Sequence, residues 1–132
     1  MKNITNSLLT PETIKSVVFD LDGVLIDSRL CMERSWNEIN NKYKLNRTFD
    51  EYFSYIGIPF LEILKIMDIT VKAHKIKDDY FNYTKKYQYL IEPYKGASEI
   101  FSILKDKKIK TGIITSKERV NAISVCSKFQ IV

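Results

Sequence analysis

Two carboxylates one residue apart follow a short apolar run at Asp20-Leu21-Asp22-Gly23. In open parallel sheets, ligands bind at the carboxyl ends of the strands. A pair with this spacing, just past a buried strand, can converge on a hard cation such as Mg²⁺. Gly23 lets the chain turn sharply with no side chain blocking the site. A second polar strand end is Thr115-Ser116-Lys117. There a hydroxyl and the first amides of a following helix are placed to hold an anion. Thr115 with Glu118 also fits a capping box, and capping and anion binding use the same geometry, so both readings stand. Asp20 and Asp22 in isolation would read as turn formers. A calcium loop fails, because its fifth and twelfth positions would be Val24 and Cys31.

The elements that position these residues follow from periodicity. Ser16-Val17-Val18-Phe19 is apolar without alternation, which predicts a strand buried on both faces of a parallel sheet. Thr111-Gly112-Ile113-Ile114 is a second such run, and Ile131-Val132 could open a third. Between the first two the pattern is helical. Met32, Trp36, Ile39 and Tyr43 form one stripe from a helix begun near Ser28, with Asp27 and Ser28 as caps. Phe60, Ile63, Leu64 and Met67 form another after Pro59. A third comprises Ile76, Tyr80, Tyr83, Tyr87 and Leu90, closed by Pro93. Ala97, Ile100, Phe101 and Leu104 mark a helix feeding the second strand, and Ala122, Val125, Cys126 and Phe129 mark another beyond that strand. A further helix start is expected at Thr10-Pro11.

The expected fold class is therefore α/β: an incomplete parallel sheet with an inserted helical subdomain. Residues 1–28 and 93–132 make the core and residues 29–92 the insert. Stripes confined to one side of each helix predict that Trp36, Ile39, Leu64, Met67, Tyr83 and Tyr87 pack on one another rather than on the strands. The junctions near Asp27–Ser28 and Glu92–Pro93 would then be hinges.

Composition narrows the function classes. The 132 residues amount to one ordinary domain, and an apolar share of 45% suits a soluble globular chain. No apolar run approaches the roughly 18 residues of a membrane span. The polar stretch Met1 to Thr10 does not resemble a secretory signal. Two distant cysteines, Cys31 and Cys126, suggest neither a disulfide framework nor zinc. A cytoplasmic location with reduced thiols is expected. The net charge of +5 rests on 17 Lys against 4 Arg. That mix argues against a nucleic-acid surface, which favours arginine. Nothing in the sequence sets an oligomeric state. His74, among lysines, reads as a surface residue, Lys117 as a surface residue at a helix start, and Trp36 as core.

Phe19-Asp20-Leu21-Asp22-Gly23-Val24-Leu25-Ile26-Asp27-Ser28 resembles the first motif of the haloacid dehalogenase (HAD) superfamily, and Ile113-Ile114-Thr115-Ser116-Lys117 resembles its second. The resemblance extends to the lead-in Pro93-Tyr94-Lys95-Gly96-Ala97 and to a helical cap between the two motifs. It implies a HAD-like Rossmannoid sheet and phosphoryl transfer through an aspartyl-phosphate. Asp20 would be the nucleophile and a Mg²⁺ ligand. Asp22 would protonate the leaving group, activate water and give its carbonyl to the metal. Thr115 and Ser116 would bind the phosphoryl group. Asp22 points to phosphate esters, because dehalogenating and phosphonate-cleaving members generally lack it.

The expected partner is a small phosphorylated metabolite such as phosphoglycolate or a sugar phosphate. The Gly57-Ile58-Pro59-Phe60 segment is expected at the cap rim. The family's later lysine and last acidic motif have no match here, which suggests a fragment of a longer enzyme, nearly inactive alone, with an exposed apolar edge at Ser16 to Phe19. The alternatives are a phosphomutase of the same family, a catalytically inactive relic, and a receiver-like phosphoacceptor domain. The last would need a strand roughly every 20–30 residues before residue 90.

Overall fold

Phe19 sits one residue before the first carboxylate, at the end of strand β1 (Ser16–Phe19) in a computed structural model that describes residues 13–131. The expected helix start at Thr10-Pro11, the stretch Met1 to Thr10, and Val132 lie outside the described residues. The chain then runs β2 (Ile26–Asp27), α1 (Arg29–Tyr43), α2 (Phe49–Phe53), α3 (Phe60–Ile66) and α4 (Ala73–Lys86). A short 3₁₀ turn at Gln88–Leu90 leads to β3 (Glu92–Pro93), α5 (Ala97–Asp106), β4 (Lys110–Ile113) and α6 (Arg119–Lys128).

Strands β1 and β4 pair in parallel, with Ser16 opposite Lys110 and Phe19 opposite Ile113. This register carries the two polar strand ends, Asp20 and Thr115, to the same edge of the sheet. The expectation that β1 is buried on both faces is corrected. Val17 and Phe19 are half-buried on one face, where Phe19 lies 5.1 Å from the Phe101 ring of α5. On the other face Val18 is 56% and Ile114 73% exposed. An unbroken apolar run is the signature of two covered faces, and among the described residues one face remains open. Ile131 is buried but unpaired as a strand.

Between these strands the chain packs mainly on itself. Helix α1 lies along α4, and α3 also packs on α4. Trp36 and Ile39 from α1, Tyr52 from α2, Phe60, Ile63 and Leu64 from α3, Met67, and Ile76 and Tyr80 from α4 close one apolar cluster. The Trp36 and Tyr52 rings stack at 4.4 Å, as do Phe60 and Tyr80. A second cluster joins Leu21, Leu25, Ile26, Cys31, Ile91, Ala97, Phe101, Val125 and Ile131. Tyr87 and Leu90, expected with the helical insert, pack against this second cluster instead. The helix that carries the stripe ends at Lys86, and the 3₁₀ turn sends the chain in a new direction.

Where the chain leaves and rejoins the second cluster, β2 and β3 pair antiparallel, Ile26 opposite Pro93 and Asp27 opposite Glu92. No third strand joins β1 and β4 among the described residues. The strands that a receiver-like domain requires before residue 90 are therefore missing, and its crossover helices are replaced by helices packed on one another. No helix among the described residues is long and apolar enough to cross a membrane.

Candidate active site

The turn after β1 is wound around one carbonyl. Leu21, fully buried, accepts the amides of Val24, Leu25 and Ile26 at 2.9–3.2 Å, while the Gly23 amide donates to the Ile26 carbonyl at 2.8 Å. Gly23 takes φ +80°, which a side chain opposes. A Cβ there would meet nothing within 4 Å, so glycine serves the backbone of the turn and not clearance of the site.

Winding the chain this tightly returns Asp22 to the sheet end that Asp20 occupies. Asp20 is exposed, and its Oδ1 accepts the Leu21 amide at 2.6 Å. Asp22 is mostly enclosed, and its Oδ1 takes two donors: the Ser28 hydroxyl at 2.5 Å and the Lys117 ammonium at 3.0 Å. Oδ2 takes no side-chain hydrogen bond among the described residues.

Two sequence expectations change here. Lys117 is only 10% exposed and pairs with Asp22, itself 12% exposed, instead of lying on the surface. Ser28 precedes α1 but makes no capping hydrogen bond, because its hydroxyl is directed at Asp22. Asp27 accepts the Arg29 amide at 3.2 Å, in keeping with its expected capping part.

The second strand end is also rearranged. Helix α6 starts at Arg119, and its N-cap is Glu118, whose carboxylate accepts the Asn121 amide at 3.1 Å. Thr115 therefore heads no capping box. Its Oγ1 accepts the Lys117 amide at 3.1 Å, folding a short loop that carries Ser116 and Lys117 toward the Asp20–Asp22 turn.

Asp20, Asp22, Ser116 and Lys117 line one cavity of about 60 Å³. Its far wall comes from the helical insert and includes Gly57, Ile58 and Phe60, three of the four residues expected at the rim. Thr115 lies outside this cavity, in an adjoining recess of about 310 Å³ that it shares with Asp20 and Ser116.

Helices α4 and α6 are bridged behind the site. Asn121 Nδ2 donates to Thr84 Oγ1 at 3.0 Å, and the Thr84 carbonyl accepts the Cys31 thiol at 3.4 Å. Burial pushes that thiol's pKa up, keeping it protonated. Burial likewise raises the pKa values of Tyr52 and Tyr80, whose hydroxyls meet at 2.9 Å in the cavity wall.

Lys117, Ser28 and Asn121 are the site neighbours that sequence reasoning missed. The signal for Lys117 was its place two residues past Thr115 at a strand end. Nothing in the spacing marked Ser28 or Asn121.

A family model described as haloacid dehalogenase-like hydrolase matches residues 17–132. The chain belongs to this family.

Among HAD relatives, it is 27% identical over 118 residues to a phosphorylated carbohydrates phosphatase of Thermotoga maritima, covering 83% of this chain and 53% of that protein. It is 23% identical over 107 residues to the pyrophosphatase PpaX of Oceanobacillus iheyensis, covering 81% and 50%. The solved structure of a hydrolase from Pseudomonas syringae superposes with a TM-score of 0.81 at 24% identity, over 89% of this chain and 56% of that one. At that identity the likeness is one of fold. The chain spans about half the length of the curated relatives it matches.

Proposed function

We propose that this HAD chain carries the nucleophile, the acid–base group and the cap of a Mg²⁺-dependent phosphatase acting on a small phosphate monoester in the cytoplasm. The observation that carries the reading is the convergence of Asp20, Asp22, Ser116 and Lys117 on one cavity at the carboxyl ends of two parallel strands. Two free cysteines suit a reducing compartment.

Asp20, exposed at the cavity mouth, attacks phosphorus. Its carboxylate oxygen forms the new P–O bond as the bond to the leaving alkoxide breaks. Asp22 is the acid–base group that relays a proton to that alkoxide. It then removes one from the water that splits the aspartyl-phosphate, releasing orthophosphate and restoring Asp20. Ser28 and Lys117 fix one oxygen of Asp22, leaving the other for this proton traffic. Ser116 and Thr115 are neutral donors for the phosphoryl oxygens.

The donor set suits Mg²⁺, which binds through one or two carboxylates and completes its shell with water and substrate phosphate. The Asp20 carboxylate and the Asp22 main-chain carbonyl would hold it, and when bound it would supply charge neutralisation to the phosphoryl group. In this reading residues 29–92 form a lid over residues 1–28 and 93–132, hinged where β2 meets β3.

Fluorine NMR with beryllofluoride, a mimic of the acyl phosphate, tests the site directly. A bound signal is expected only with Mg²⁺ present, and it should vanish in Asp20→Asn. Binding that survives either change refutes the assignment.

A further inference from the structure

We propose, resting on the reading of this cavity as the phosphoryl site, that its substrate carries a small, uncharged and partly apolar leaving group. A second anionic group is disfavoured.

The wall facing Asp20 and Asp22 is built from Tyr52, Ile56, Ile58, Phe60, Tyr80 and Phe81. None of these is a cation. Among the described residues one ammonium lines the cavity, that of Lys117, and it is held by Asp22 at 3.0 Å. Three carboxylates, Asp20, Asp22 and Glu118, share the same lining. A cation held by Asp20 and Asp22 would serve the transferring phosphoryl group. A second phosphate or carboxylate at the far end would therefore lose its water and gain no partner.

The wall also offers few hydrogen bonds for a polyhydroxylated sugar. The Tyr52 hydroxyl donates to that of Tyr80, and the Thr84 hydroxyl donates to the Phe81 carbonyl at 2.8 Å while accepting from Asn121. Among the described residues the Tyr80 hydroxyl proton and the second Asn121 amide proton are left for a ligand. What the wall does offer is apolar contact, which favours binding about fourfold for each methylene buried. The cavity of about 60 Å³ must take the phosphoryl group as well, which limits the leaving group to a few heavy atoms.

Calorimetric titration of the 132-residue chain at fixed free Mg²⁺ tests this with four probes: orthophosphate, ethyl phosphate, 2-phosphoglycolate and pyrophosphate. Ethyl phosphate should bind at least as tightly as orthophosphate, with 2-phosphoglycolate and pyrophosphate about tenfold or more weaker. In Ile58→Lys, which places a cation on the wall at a position already 39% exposed, pyrophosphate should gain about tenfold relative to ethyl phosphate. Equal or tighter binding of pyrophosphate or 2-phosphoglycolate by the unaltered chain, with orthophosphate also bound, overturns the leaving-group inference alone. Failure of the folded chain to bind orthophosphate overturns the phosphoryl-site reading, and this inference with it.

Discussion

The Asp22 side chain is held by partners drawn from two parts of the chain: the residue before α1 and the loop after β4. Lys117 is the partner whose removal is most informative. Lys117→Met leaves a mostly enclosed carboxylate with the Ser28 hydroxyl as its remaining side-chain donor. The loss should be about 2 kcal/mol, because an uncompensated enclosed charge costs more than the pair itself contributes. Urea unfolding of the two chains at pH 7 measures it, and a difference below about 0.5 kcal/mol, the range of ordinary surface changes, would show that the pair is neutral. The carboxylate pair was legible in the sequence because its spacing, its glycine and its apolar lead-in all agree. Lys117 and Ser28 were not, because each reads locally as a helix-start residue. Only the tertiary approach of the two loops gives them a common target.

Among the elements, the helical stripes were legible from Met32 to Tyr80, since each buries in one direction. The boundary was not. Tyr87 continues the stripe in sequence, but the backbone leaves the helix at Lys86, and the ring turns to the other cluster. The five-residue helix α2 was likewise too short to show a period. Separate clusters predict separable responses. Trp36→Ala, at a fully buried position, should cost about 3–5 kcal/mol. It should quicken amide exchange in α1, α3 and α4 well before β1 and β4. Equal loss of protection in the strands would mean one cooperative unit.

A pH effect also belongs to this level, because Lys42 and Tyr43 of α1 both bond Asp79 of α4. The hydrogen bond from Lys42, then that from Tyr43, holds the Asp79 carboxyl below its ordinary value. Its stabilising effect is therefore complete above the unfolded carboxyl's pKa, near pH 4, and is lost as pH falls through the lowered folded value. The melting temperature of Asp79→Asn should lie below that of the native chain at pH 7 and converge with it under acid. A gap that persists undiminished in acid would contradict this.

For the whole molecule, the open face of the sheet and the length of the relatives set the expectations. Val18, Ile114, Val120 and Ile123 are all more than half exposed, and β1 has one unpaired edge among the described residues. Such a surface favours association. Sedimentation should show self-association rising with concentration and reduced in Val18→Lys; a monomer at all concentrations would argue otherwise. No group of three or more His, Cys, Asp or Glu side chains suited to a metal is found among the described residues. The unpaired strand edge was legible in the sequence. The exposure of one whole sheet face was not, because an apolar run reports an intended partner without saying whether one is present.

The central claim is that Asp20 becomes covalently phosphorylated. The chain would be incubated with Mg²⁺ and a phosphate monoester, then reduced with borohydride, which converts an acyl phosphate on aspartate to homoserine. Peptide mass analysis should find homoserine at position 20, absent with chelator and absent when Asp20→Asn is used. Unmodified Asp20 in folded chain that binds the ester, or homoserine at position 22 instead, would contradict the account.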